Sequence, residues 1–129
     1  MNEKSHYQTE KNIAVDLDGV IFENLEEWKG LTHFGAPVAD VREALGMLKG
    51  MGYNIIIYTC RTNEMIYKDE CPDCLIAWVK KALDRAQIPY DDIEIFGKPQ
   101  AEFYIDDRAI RFTTWQQTVQ EILLRSITK

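Results

Sequence analysis

The chain predicts an α/β fold in which helices flank a mainly parallel sheet, and three observations carry that expectation. Apolar runs such as Ile13-Ala14-Val15 and Ile55-Ile56-Ile57 lack polar alternation, as strands covered on both faces do. They alternate with stretches of helical period that open near Asp40, Leu75 and Thr114. Acidic or hydroxyl residues follow the strand runs, at the carboxyl ends where open α/β sheets place their ligands.

Ile13 to Leu17 is the first expected strand. Asp40 opens the first clear helix, with Glu43 three residues on as a capping box and Val41, Ala44, Leu45 and Leu48 as its apolar face. Gly50 or Gly52 ends it. Asn54 to Thr59 is a β-branched second strand. Leu75 to Ala86 carries the next helical stripe, opened by Pro72 with Asp73 as the expected N-cap. Ile93 to Phe96 and Phe103 to Ile105 are the remaining strands. Thr114 and Gln117 predict the cap of a last helix whose face is Trp115, Val119, Ile122, Leu123 and Ile127. Trp78 and Trp115 fall at helical spacing and read as core residues. No internal repeat or low-complexity tract interrupts the chain.

A chain of 129 residues with 46% hydrophobic and 28% charged residues is enough for one core without staples. The expected organisation is a polar tail over residues 1–12 and a single catalytic domain over 13–129. Twenty-one acids against 15 Lys plus Arg give a formal charge of -6, which disfavours nucleic acid and an anionic membrane surface as partners. A small soluble substrate suits that charge better, and a homo-oligomer stays open. Met1 to Glu10 has no apolar signal core and no run reaches the roughly twenty apolar residues of a membrane span, so the expected location is the cytoplasm.

The chemistry is concentrated in four places. Asp16 and Asp18 lie two apart at the end of a strand, so their side chains point the same way while Leu17 turns to the core. A calcium loop beginning at Asp16 lacks its ligands, because Val20 and Phe22 occupy the fifth and seventh positions and only Glu27 is in place. Thr59 brings a hydroxyl to the end of the second strand, as a phosphate contact or as a turn residue. Arg61, two residues on, suits a phosphate or solvent. Lys98 stands in the turn Gly97-Lys98-Pro99. Asp106-Asp107 directly follows an apolar run, and beside Asp16 and Asp18 the four acids would suit a hard cation.

In this order the motifs resemble the haloacid dehalogenase (HAD) superfamily of aspartate-nucleophile phosphotransferases, over about Ile13 to Ile110. The runs Ile88-Pro89-Tyr90-Asp91, Phe96-Gly97-Lys98-Pro99 and Phe103 to Ile110 are similar to its small capless members of the capsule-biosynthesis phosphatase type. The resemblance implies a Rossmann-like three-layer sandwich without a cap domain. It implies Asp16 as nucleophile, Asp18 as general acid and base, and Thr59 and Lys98 as phosphate-binding catalytic groups. Arg61 would be a second substrate cation, and Mg2+ the cofactor, held at Asp16, Asp18, Asp106 and Asp107. One departure stands out. Lys98 and Asp106 are too close in sequence for a crossover helix, which needs about a dozen residues, so Lys98 must act from a loop.

The expected activity is magnesium-dependent hydrolysis of small phosphate monoesters, sugar phosphates or nucleotides, through an aspartyl-phosphate. Two rivals are a polynucleotide end phosphatase and a non-catalytic phosphate-ligand sensor. Cys60, Cys71 and Cys74 are odd in number and suit reduced thiols. Cys71 and Cys74 could join Cys60, His33 or His6 around zinc, or stand simply at a helix start. Without a cap, the loop from Thr62 to Tyr67, with Trp28 or Phe34, is expected to cover the pocket or meet a neighbouring subunit. His33 reads as an exposed loop residue.

Overall fold

Consecutive β-branched side chains stiffen a backbone and pack well on a pleated surface, and Asn54–Ile57 accordingly forms the central strand of the sheet. The computed structural model describes residues 11–127. They contain strands β1 (Asn12–Val15), β2 (Asn54–Ile57) and β3 (Asp92–Ile93), with helices α1 (Val41–Gly50), α2 (Pro72–Arg85) and α3 (Trp115–Ile127). The three strands are parallel in the order β1-β2-β3, with Val15 opposite Ile57 and Ile57 opposite Ile93. Parallel neighbours need a crossover, and α1 and α2 lie within the two connections. No described helix is long and apolar enough to cross a membrane.

The core forms where the apolar stripes meet the sheet: Leu17, Ile55, Ile57, Leu45 and Leu83 have no exposed surface. Leu17 thus turns inward between Asp16 and Asp18, as the strand period requires. α1 buries Val41, Ala44, Leu45 and Leu48, and α2 buries Leu75, Val79 and Leu83. Trp115 closes the far side, its indole Nε1 donating to the Val20 carbonyl at 2.9 Å.

Several expectations need correction. Asp40 precedes α1 but sits in the left-handed region at φ 68° and makes no side-chain cap, so there is no capping box with Glu43; aspartate tolerates this conformation better than most residues. α2 begins at Pro72 and its N-cap is Cys71 in place of Asp73, because the Cys71 sulfur reaches the Cys74 N–H. On α3, Leu123 and Ile127 are exposed, so its buried stripe is narrower than its apolar one. The Thr114 cap does form, with Gln117 N–H donating to its hydroxyl at 3.1 Å. β1 starts at Asn12, one residue before the expected strand; residues 1–10, including His6, lie outside the described residues.

Two strand ends also differ. β2 stops at Ile57 because Thr59 caps a 3₁₀ turn over Cys60–Thr62. β3 is cut short after Ile93, where Gly97 N–H turns back to the Glu94 carbonyl and Phe96 N–H to the Glu94 carboxylate. The largest departure is Phe103 to Ile105, which is no strand at all: all three residues are exposed, Ile105 fully. Tyr104 is tied locally instead, its hydroxyl donating to the Pro99 carbonyl at 2.7 Å and accepting from Ala101 N–H at 3.3 Å. A loop closed on itself in this way cannot run alongside β1, which remains at the edge of the described sheet.

Candidate active site

The carboxyl ends of β1 and β2 bring four sequence-predicted residues together, and a tight turn delivers the fifth. Asp16 follows β1 directly; its Oδ1 accepts the Leu17 N–H at 2.8 Å and its Oδ2 faces Lys98 Nζ at 3.1 Å. Both carboxylate oxygens are therefore oriented. Beyond Asp18 the chain must leave the sheet sharply, and the Leu17 carbonyl accepts N–H groups from Val20, Ile21 and Phe22. Gly19 supplies the positive φ of 87° that this turn needs.

Thr59, almost wholly buried, lies two residues beyond β2 and accepts the Arg61 N–H at its hydroxyl oxygen, 3.1 Å away. The same residue anchors Lys98, whose backbone N–H donates to the Thr59 carbonyl at 2.9 Å. Asn63 completes that anchor by donating to the Lys98 carbonyl at 3.1 Å. Lys98 thus sits on a loop, as its spacing requires, and the loop is fastened just beyond the end of β2. Gly97 makes the turn at φ 75°, and a Cβ there would collide with the Asn63 backbone. Gly97→Ala is accordingly expected to destabilise the chain by about 1–3 kcal/mol. Urea denaturation measures the effect; an unchanged midpoint would show that the turn relaxes freely.

Arg61 is only 2% exposed, and four of its N–H bonds are accounted for. Nε and one terminal nitrogen fork onto Asp18 at 2.8 and 3.0 Å, while the carbonyls of Leu31 and His33 accept from the terminal nitrogens at 3.2 and 2.9 Å. The rings of Phe34 and Trp28 lie 4.0 and 4.8 Å from the guanidinium carbon. Planar, forked and flanked by aromatic faces, this is a setting for arginine that lysine cannot reproduce. Arg61 here holds Asp18 and the loop before α1, and what it can still offer a substrate is small. His33 contributes its carbonyl, and its ring is exposed.

A cavity of about 410 Å³ opens beside these groups, lined by Asp18, Asn24, Trp28, Arg61, Tyr67 and Gln100 among others. Tyr67 and Trp28 therefore do border the pocket, from the loops expected to cover it. A larger hollow of about 570 Å³ lies between α1, α2 and β3, but its charges serve the fold. Lys49 bonds Asp91 at 2.7 Å, Asp91 also accepts the Ile55 N–H, and Tyr90 donates to Asp84.

Asp106 and Asp107 do not join the site. Both are exposed on the loop that includes Tyr104, and Asp106 accepts the nearby Arg108 N–H at 2.8 Å. Among the described residues no group of three His, Cys, Asp or Glu side chains could hold a metal ion. Asp16 and Asp18 have Lys98 and Arg61 as counter-charges instead. In this arrangement the side chains do not fit the four-acid magnesium site that the resemblance implies, nor the three- or four-ligand zinc site around Cys71 and Cys74.

The residues that sequence reasoning missed belong to the Lys98 turn. The Tyr104 ring lies 4.0 Å from Lys98 Nζ, and Cys60 donates to the Pro99 carbonyl at 3.7 Å. Burial pushes up both the Tyr104 hydroxyl and the Cys60 thiol, so each keeps its proton at neutral pH. The sequence pattern puts Tyr104 in a strand, and only its short distance in sequence from Pro99 points to a loop contact.

Two solved structures resemble this one. A structural-genomics target from Vibrio cholerae is 29% identical, with a TM-score of 0.63 over 90% of this chain and 98% of that one. A conserved protein from Bacteroides thetaiotaomicron is 21% identical, with a TM-score of 0.52 over 88% and 90%, a likeness of fold alone. No protein-family model matches the chain, and no curated protein does. The chain is thus similar in overall architecture to two bacterial proteins, neither of them described by an activity.

Proposed function

We propose that the chain is a phosphatase of small phosphate monoesters, with a HAD-like, Rossmann-like sandwich and no cap domain. The observation that carries this reading is the pair Asp16–Lys98 at the end of β1, with Asp18 and Thr59 beside it. A phosphate dianion repels a carboxylate nucleophile, so attack needs fixed positive charge and donors on the phosphoryl oxygens. Lys98 supplies the charge and the Thr59 hydroxyl, which accepts from Arg61 but still has its own proton, supplies a donor. Asp16 attacks phosphorus and forms an aspartyl-phosphate. Asp18 protonates the leaving alcohol oxygen, then takes a proton from the water that hydrolyses the intermediate. The Arg61 fork keeps Asp18 aimed at the cavity through both steps.

A cavity of about 410 Å³ matches the few hundred Å³ of small-ligand sites, which favours a metabolite over a polynucleotide end. The net charge of -6 favours it too. Phosphate release from a panel of sugar phosphates and nucleotides, with magnesium present, tests the reading. Hydrolysis of at least one is expected, and its absence from a folded preparation across the panel would leave the phosphate-ligand sensor. The magnesium requirement rests on the resemblance and is measured separately. Magnesium held by Asp16 and Asp18 alone, with water and substrate phosphate completing its shell, would need no third acid; on that footing turnover would be lost in EDTA and return with magnesium, and full turnover in metal-free enzyme would remove magnesium from the proposal.

A further inference from the structure

Cys71 and Cys74 lie three apart at the start of a 14-residue helix that falls in the connection between parallel strands β2 and β3. The proposed phosphatase site uses neither. The Cys74 N–H donates to both the carbonyl and the sulfur of Cys71, at 2.9 and 3.2 Å. The first of these bonds closes a tight turn, which holds the two Cα atoms within about 7 Å, close to the span a disulfide bridges. The second offers a fixed donor to the Cys71 sulfur, in the first turn where the helix favours negative charge. Cys71 is exposed and Cys74 half-buried. The Cys74 thiol is pushed up, first by its hydrogen bond to Cys71 and then by burial, so it holds its proton while Cys71 meets solvent. No third metal-ligating side chain completes a set around them among the described residues.

We propose that Cys71 and Cys74 form a redox-active dithiol that closes to a disulfide by exchange with a small-molecule disulfide such as oxidised glutathione. The Cys71 thiolate attacks one sulfur of glutathione disulfide. The Cys71–glutathione bond forms as the glutathione S–S bond breaks, and one glutathione thiol leaves. Cys74 then gives its proton to solvent and attacks the Cys71 sulfur, expelling the second glutathione thiol. The two protein thiols lose two electrons, which reduce one glutathione disulfide to two thiols.

Trypsin places both cysteines in one peptide, Asp69 to Lys80, apart from Cys60. The full chain is equilibrated in a glutathione redox buffer, quenched with iodoacetamide and digested. The expected peptide is two hydrogens lighter and unalkylated, at a ratio where Cys60 is still alkylated. Cys74→Ser should stop at a single glutathione on Cys71. Cys71→Ser, which keeps a good N-cap, should consume oxidised glutathione at least about tenfold more slowly than wild type. Recovery of the wild-type peptide with both thiols free or with two glutathiones attached would overturn the proposal. So would an undiminished rate in folded Cys71→Ser.

Discussion

Asp16→Asn is expected to lower phosphate release on the order of a thousandfold or more while the chain stays folded. The single amide oxygen can replace only one of the two carboxylate oxygens, so either the Leu17 N–H or Lys98 keeps its acceptor and the other contact is lost, while the unchanged size of the side chain leaves the backbone at the end of β1 in place. What is lost is a carboxylate able to form an acyl-phosphate, for which an amide has no substitute. The Asp16 side chain is 37% exposed, and pairs at such sites contribute less than about 1 kcal/mol, so the melting temperature should move by only a few degrees. A wild-type rate in pure Asp16→Asn would end the aspartyl-phosphate mechanism. An inactive and unfolded variant would show instead that Asp16 is a structural residue.

Arg61→Ala should have the opposite profile, a loss of stability as large as its loss of rate. Truncation leaves the Leu31 and His33 carbonyls without their donor, removes the partner of Asp18 and opens a gap against Phe34 and Trp28. Removing a buried, multiply bonded cation of this kind costs about 2–4 kcal/mol. Arg61→Lys keeps the charge but neither the fork nor the flat stack, and is expected to fall between the two. Denaturant midpoints for the three proteins measure this. An unchanged midpoint in Arg61→Ala, with KM raised, would return Arg61 to the role of a substrate cation that its position after Thr59 first suggested.

What the sequence makes legible here is whatever depends on short range. Ile55 to Ile57 read correctly as a covered strand because three β-branched residues have few other stable environments. The stripes of α1 and α2 were equally plain, and strand alternation alone put Leu17 inside with Asp16 and Asp18 outward. Phe103 to Ile105 fails for the complementary reason. Three apolar residues after a turn look like a strand in any window, whereas the contacts that decide their fate, from Tyr104 to Pro99 and to Lys98, depend on where that turn is anchored. Asp106 and Asp107 went astray with it. Arg61 was visible as a residue of interest, but its partners Leu31 and His33 act through backbone carbonyls, and no side-chain pattern announces those.

The sequence distances within the site also say when it is built. Strand β2 is the hub of the sheet, and its links to β1 and to the β3 segment span 42 and 36 residues. Asp18 to Arg61 spans 43 residues, and Asp16 to Lys98 spans 82, reaching across both crossovers. A polypeptide cannot profit from that last contact until the sheet has already drawn its ends together, since closing a long loop is an entropic cost with nothing yet to offset it. The Asp16–Lys98 pair therefore belongs to the downhill side of the folding barrier. Breaking it should leave the refolding rate nearly untouched and appear almost wholly as faster unfolding, a split that stopped-flow traces of Lys98→Ala would display.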